Sequence, residues 1–313
     1  MRRRFLCLLA LCAALSAAAQ DSFVQRASEA LARHESSEVV RIAGEGLRQG
    51  ENPELRNLLG KGYAQAGQMD KAVPELKTAI RLAPGNEGFR FDLARLFLYH
   101  QDFQAAIGVL EDARKQLPRS AQIELALGVA YYGQRRFEDT VQAFLTTIDL
   151  APDVPQPYVF LGRMLEHAGT HMPEITEKFA AWERLEPQNP EAPLLHAKAL
   201  VAQLPPTGWG AKAGEVQALL EKSISLKSDS AEAQFELGCL MERKHDYPKA
   251  AELLEKSIQL DPQNPVAHYR LARVYDRLGK KEQADAERAL HERLSAREKQ
   301  DLDRRAGGMA SPQ

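Results

Sequence analysis

His167 and His171 lie four residues apart with Glu166 and Glu174 beside them. On one helix face, such nitrogen and oxygen donors could hold a divalent cation. Ala168-Gly169-Thr170 separates the two histidines and reads as a helix–turn boundary. A turn there destroys the shared face, so surface histidines are the expectation. Cys239 offers a thiol, yet redox chemistry needs a resolving partner, and small buried filler is the expected role. Trp209 stands in the run Leu204-Pro205-Pro206-Thr207-Gly208-Trp209-Gly210. It suits either a partner anchor, since interfaces favour tryptophan, or a plug folded over its own repeat, and the plug is the expectation. There is no HExxH helix, CxxCH haem site, Walker loop or GxSxG elbow. No catalytic residue, cofactor or metal is therefore assigned, and the chemistry expected is non-covalent.

What positions these residues is a repeat. Gly60, Ala94, Gly128 and Gly162 are spaced by 34, and the beat returns at Gly238 and Ala272. Leu59, Leu93, Leu127, Leu161, Leu237 and Leu271 come one place earlier; Tyr63, Phe97, Tyr131, Leu165, Met241 and Tyr275 come three places later. A fixed period in this range marks stacked helix-turn-helix units. A small residue at the beat lets two helix backbones approach, while the leucine and aromatic fill the gap. Ala72 and Ala79 do the same on second helices, and Pro84, Pro118, Pro152 and Pro262 stand where those helices must stop. Pro173 and Pro248 fall at the starts of second helices, where the missing N–H costs little; Pro74, a turn inside its helix, predicts a mild distortion.

Read from Pro53, one unit gives Leu59, Gly60, Tyr63, Ala72, Leu76, Ala79 and Pro84; later units give Leu93 to Pro118, Leu127 to Pro152 and Leu237 to Pro262 at the same places. In this the chain resembles the tetratricopeptide repeat family, over roughly residues 21 to 305. The resemblance implies an all-α helix-turn-helix repeat solenoid, a superhelix with capping helices. The expected organisation is a degenerate helical pair at 20–52, an array at 53–280 with units near 53, 87, 121, 155, 190, 231 and 265, a capping helix at 281–305 and a disordered tail at 306–313. Two units depart from the pattern. The one from Pro155 gains a residue near Gly169 and carries Trp182 where a small side chain is expected. The next holds the insertion Leu204 to Gly210 before a second helix from about Ala213 to Leu226.

The resemblance further implies that first helices line a concave face, with recurring positions turned towards a ligand. Carried onto this chain, these give a peptide-binding groove of Asn57, Lys61, Phe91, Arg95, Tyr99, Tyr132, Arg163, Lys198, Phe235, Tyr269, Arg273 and Arg277. Apolar side chains of an extended peptide would seat on the aromatics and carboxylates would meet the cations. The bland reading is that some of these aromatics pack the helix layer and the arginines are solvated surface. The Lys and Asn pattern by which some relatives clamp a C-terminal carboxylate is not reproduced: Asn57 and Lys61, Phe91 and Arg95, and Leu125 and Val129 occupy those places.

Composition is ordinary for a folded soluble protein. The chain has 313 residues, 44% hydrophobic and 27% charged, at formal net charge −2, so bulk charge calls for no nucleic acid. Arg2, Arg3 and Arg4, the apolar run Phe5 to Leu15 and the small residues Ser16 to Ala19 read as a cleavable signal peptide at 1–19. The apolar run falls short of the roughly 20 residues that span a bilayer, so no transmembrane segment is expected; a lipoprotein cleavage at Cys12 is the alternative. Cleavage after Ala19 removes three arginines, taking the formal charge from −2 to −5, and leaves Cys239 as the lone cysteine. The expectation is a bacterial exported, periplasmic or extracellular, non-enzymatic scaffold binding a protein or peptide partner in envelope assembly or secretion. Self-association into a homo-oligomer, and a hydrolase subunit with an unrecognised site, are the alternatives.

Overall fold

The computed structural model describes residues 20–205, 209–210 and 212–308. The expected signal peptide lies outside the described residues, as do 206–208 of the insertion and 309–313 of the expected tail. The described residues form sixteen α-helices, two 3-10 turns and no strand. In pairs these are α1 (20–32) and α2 (Ser36–Leu47), α3 (Pro53–Gln65) and α4 (Met69–Leu82), α5 (Glu87–Tyr99) and α6 (Phe103–Gln116), and α7 (Ala121–Gly133) and α8 (Phe137–Leu150). There follow α9 (Gln156–Arg163) and α10 (Met172–Leu185), α11 (Glu191–Gln203) and α12 (Lys212–Leu226), α13 (Ala231–Arg243) and α14 (Tyr247–Leu260), and α15 (Pro265–Arg277) and α16 (Lys281–Gly308). Two compact units divide at Pro157 and Tyr158, in the first turn of α9.

In the first unit each helix packs on the next, and first helices also meet one another, α3 with α5 and α5 with α7. The beat residue decides how closely a pair can cross. A Cβ built on Gly60 would lie 2.7 Å from Leu76 Cγ, and one on Gly128 would lie 2.4 Å from Phe144 Cε1. In the pair between them, Ala94 and Leu110 hold the same two places and are both fully buried. Ala72, Ala79, Ala106 and Ala113 are wholly buried too, as are Thr140 and Thr147 at the corresponding places. The threonine hydroxyls stay satisfied by donating to carbonyls one turn back, Thr140 to Arg136 at 2.9 Å and Thr147 to Ala143 at 2.8 Å. α4 runs through Pro74 without interruption.

The second unit keeps this crossing in its later pairs and departs from it in the first. Gly238 approaches Leu254 as Gly60 approaches Leu76, with 2.9 Å from a Cβ to Leu254 Cγ. Gly162 has a different neighbour: a Cβ there would meet Leu195 of α11 at 2.4 Å. The reason is local. α9 stops at Arg163 after 8 residues, and two tight turns, Leu165–His167 and Gly169–His171, intervene before α10. The expected boundary between His167 and His171 is thus present. Trp182, fully buried, stacks on Tyr158 with ring centroids 4.5 Å apart and planes 9° apart. Such stacking contributes about 0.5–1.5 kcal/mol beyond burial. α12 begins at Lys212, one place before the expected start, and α16 continues to Gly308, past the expected end at 305. Without a proline to stop it, the charged helix runs into Gly307 and Gly308, and the tail expected from 306 is helical over its first three residues.

Turns within pairs repeat one design. Gly67, Gln101, Arg135, His245 and Gly279 all take positive φ, between 59° and 72°, and His34 does so at 58°. Each closes two backbone bonds of the same type: Gln101 N–H donates to Leu98 and Asp102 N–H to Phe97, as Arg135 does to Tyr132 and Arg136 to Tyr131. This left-handed cap satisfies carbonyls the helix end would otherwise leave open. The other ends are capped by side chains: Asn52, Ser120, Ser230 and Asn264 accept from backbone N–H groups of α3, α7, α13 and α15 at 3.0–3.3 Å.

Gly128→Ala forces its methyl onto the Phe144 ring and is expected to cost about 1–3 kcal/mol by overpacking. Adding Phe144→Leu recreates the pairing of Ala94 with Leu110 and should restore most of that loss. Urea midpoints of the two variants against the parent measure both steps.

Candidate functional site

The first-helix face of the first unit carries an ion cluster and two open aromatic rings. Asp92 on α5 gathers three of the expected groove residues. Asn57 Nδ2 donates to its Oδ2 at 2.8 Å, Lys61 Nζ stands 3.2 Å from the same oxygen, and Arg95 Nη2 donates to Oδ1 at 3.2 Å. Asn57 is itself buried, and its Oδ1 has no hydrogen-bond partner. Its role is to tie α3 to α5. Phe91 is half-buried against the core. Tyr99 is 81% exposed and Tyr132 47%. Tyr132 leans on Phe137 with ring centroids 6.1 Å apart, and the Tyr99 ring stands nearly perpendicular to that of His100 at 5.2 Å.

In the second unit, Arg163 and Lys198 reach one cavity of about 260 Å³, together with Leu194 and Glu232. Lys198 is ion-paired to Glu232, while the Arg163 side chain is exposed. Phe235, half-buried, belongs to the packing of the unit. Tyr269 is 44% exposed between Arg273, whose guanidinium lies 5.8 Å from its ring centroid, and His291 at 5.3 Å.

A larger cavity of about 510 Å³ opens beside α13 and α15. Arg243, Lys244, Arg270, Arg273 and Arg277 line it, with Glu242 as its carboxylate. Glu242 is nearly buried and accepts from Arg270 at 3.2 Å and Arg273 at 3.1 Å. Trp209 forms a wall. Its ring packs on the core, its Nε1 donates to the Pro205 carbonyl at 2.7 Å, and the Arg243 guanidinium lies over it at 4.5 Å. The plug expected of Trp209 is therefore present, and the same ring also faces a cationic cavity.

Models of the tetratricopeptide repeat match residues 53–86, 91–155, 125–190, 213–265 and 241–303. The chain belongs to the tetratricopeptide repeat family. Among solved structures it is similar to the C-terminal part of a tetratricopeptide repeat-containing protein from Cytophaga hutchinsonii, at 16% identity and a TM-score of 0.60, covering 79% of this chain and 99% of that one. It is also similar to the APC/C hetero-tetramer Cut9–Hcn1, at 15% identity and a TM-score of 0.51, covering 88% of this chain and 53% of that one. At such identities the likeness concerns the fold. No curated protein matches the chain. A tetratricopeptide array of this kind fits a scaffold for protein–protein interaction.

Within that frame, Arg270 and Lys244 are cavity residues outside the groove positions of the repeat. Arg243 holds a groove position, but its importance comes from Trp209, which arrives from an insertion outside the repeat. His167 lies 3.4 Å from Glu166 and His171 3.5 Å from Glu174. Among the described residues no three His, Cys, Asp or Glu side chains group as a metal site, and no helix is long and apolar enough to cross a membrane. Cys239 is buried, and its thiol is pushed up to about 12, chiefly by burial and then by the nearby Glu236 carboxylate. A thiol so protonated is a poor nucleophile. Iodoacetamide at pH 8 should therefore alkylate Cys239 in the folded chain at least about 100-fold more slowly than in urea, where an ordinary thiol pKa near 8.5 returns; mass spectrometry of timed samples reads both rates.

Proposed function

We propose that this chain is an exported, non-enzymatic scaffold that holds a protein or peptide partner against the first-helix faces of its repeats. One observation carries the reading. Among the described residues, all exposed large aromatic side chains, namely Tyr99, Tyr132 and Tyr269, sit on first helices at positions expected to face a ligand. A fold that buries its other large aromatics at least partly has left these three open. Tyrosine offers large contact area with little rotamer entropy to lose, which is why it concentrates at recognition surfaces. Cations stand close by: Arg95 lies one helical turn from Tyr99, and Arg273 reaches over Tyr269. Binding is an equilibrium in a preformed surface, with no covalent step.

Export rests on the residue pattern at 1–19, and a periplasmic place in an envelope assembly or secretion machine is part of the same proposal. The exposed pair of Arg95 with Asp92 is worth only about 0–1 kcal/mol to the fold, so its loss separates recognition from stability. Arg95→Glu combined with Arg163→Glu should abolish capture of the partner from a native envelope extract by the immobilised mature chain. Circular dichroism and melting should stay nearly unchanged. Capture that survives both reversals, in a folded variant, removes the reading.

A further inference from the structure

We infer that the cavity beside α13 and α15 is a receptor for an acidic segment of a partner protein, one presenting neighbouring carboxylate side chains. This deepens, and rests on, the protein-binding reading above. Five cations and one carboxylate line a cavity of about 510 Å³, in a chain whose formal net charge is −2. The carboxylate, Glu242, is already engaged by Arg270 and Arg273. Each guanidinium carries five N–H donors in a fixed fork, so both keep donors to spare. Arg243 and Arg277 make no ion pair with any described residue.

Their presence is not a demand of the repeat. Arg243 and Arg277 end α13 and α15, where cations favour the negative end of a helix. The corresponding places on α3, α5 and α7 hold Gln65, Tyr99 and Gly133, and none of those helices has a basic residue in its last turn. Two helices of the second unit thus supply at one position what three helices of the first unit do without. Arg243 lies with its guanidinium carbon 4.5 Å from the centroid of the Trp209 ring, so the indole holds the charge at the cavity wall. A carboxylate taken between Arg243 and Arg277 would receive charge-assisted bonds, and the methylenes behind it would lie along the indole. The volume falls among cavities of about 300–1,000 Å³ that seat ligands of many atoms, which favours a chain of carboxylates over a lone inorganic anion.

The test uses the mature chain and Trp209 emission, with the fully buried Trp182 as a constant background. A peptide of consecutive glutamates should give a saturable change that Trp209→Phe removes, while a lysine peptide of equal length gives none. Arg243→Glu with Arg277→Glu should weaken binding at least about tenfold, and added salt should weaken it in the parent. Calorimetry of the Trp209→Phe variant reads the same binding without the fluorophore, and Arg243→Gln with Arg277→Gln serves should the double reversal fail to fold. No binding below about 1 mM, or affinity indifferent to both substitutions, overturns the assignment. So does pyrophosphate saturating the site more tightly than the peptide, which would mark a small-anion pocket. Partner capture depends on Arg95 and Arg163, neither of which lines this cavity. Lost capture in that variant with no glutamate binding sinks the acidic segment alone; glutamate binding with capture indifferent to Arg95 and Arg163 sinks the broader reading alone.

Discussion

Everything in this chain depends on how closely the two helices of a pair can cross. At Gly60, Gly128 and Gly238 no side chain separates the first helix from a leucine or phenylalanine of the second, and a single added carbon would sit 2.4–2.9 Å from that neighbour. Close crossing lets leucines one place earlier and aromatics three places later fill the seam between pairs, burying Leu93, Leu127 and Tyr131. It also sets which residues are left over. Once the small, leucine and aromatic positions are spent on packing, the remaining turn of each first helix faces away from its own second helix, and ligand-facing side chains can only come from there. Recognition chemistry is what remains after the crossing has been satisfied.

Most of the fold was legible because this constraint is periodic. A spacing of 34 fixes helices, turns and caps together, and the ends of α3 to α8 follow it closely. Where the chain departs from the period, the same residues take other work. Gly162 keeps its beat but seats Leu195 of the next pair, because a shortened α9 no longer offers it the usual second helix. Trp182 replaces a small residue and is accommodated by Tyr158, at the cost of an indole N–H with no hydrogen-bond partner. Neither outcome follows from spacing, since each depends on what the inserted residue does to the backbone in space.

The candidate sites divide along the same line. Repeat positions located Tyr99, Tyr132, Tyr269, Arg273 and Arg277, all exposed on first helices. They could not separate these from Asn57, Phe91 and Phe235, which stand at equivalent places and are drawn into hydrogen bonding or packing. Burial at a groove position is decided by the neighbouring helix, whose side chains are far away in sequence. The contact of Trp209 with Arg243 joins residues 34 apart, from an insertion and a helix end, and no repeat pattern contains such a pair.

The turns carry a last consequence. Six of them close with the same two backbone bonds, yet His34, Gln101, Arg135 and His245 hold the left-handed conformation without being glycine. Each such residue costs about 1–2 kcal/mol, and the cost is borne within one pair rather than shared along the array. In a fold whose units touch mainly their neighbours, local penalties become local weaknesses. The pairs closed by His34, Gln101, Arg135 and His245 thus carry a backbone cost that those closed at Gly67 and Gly279 escape.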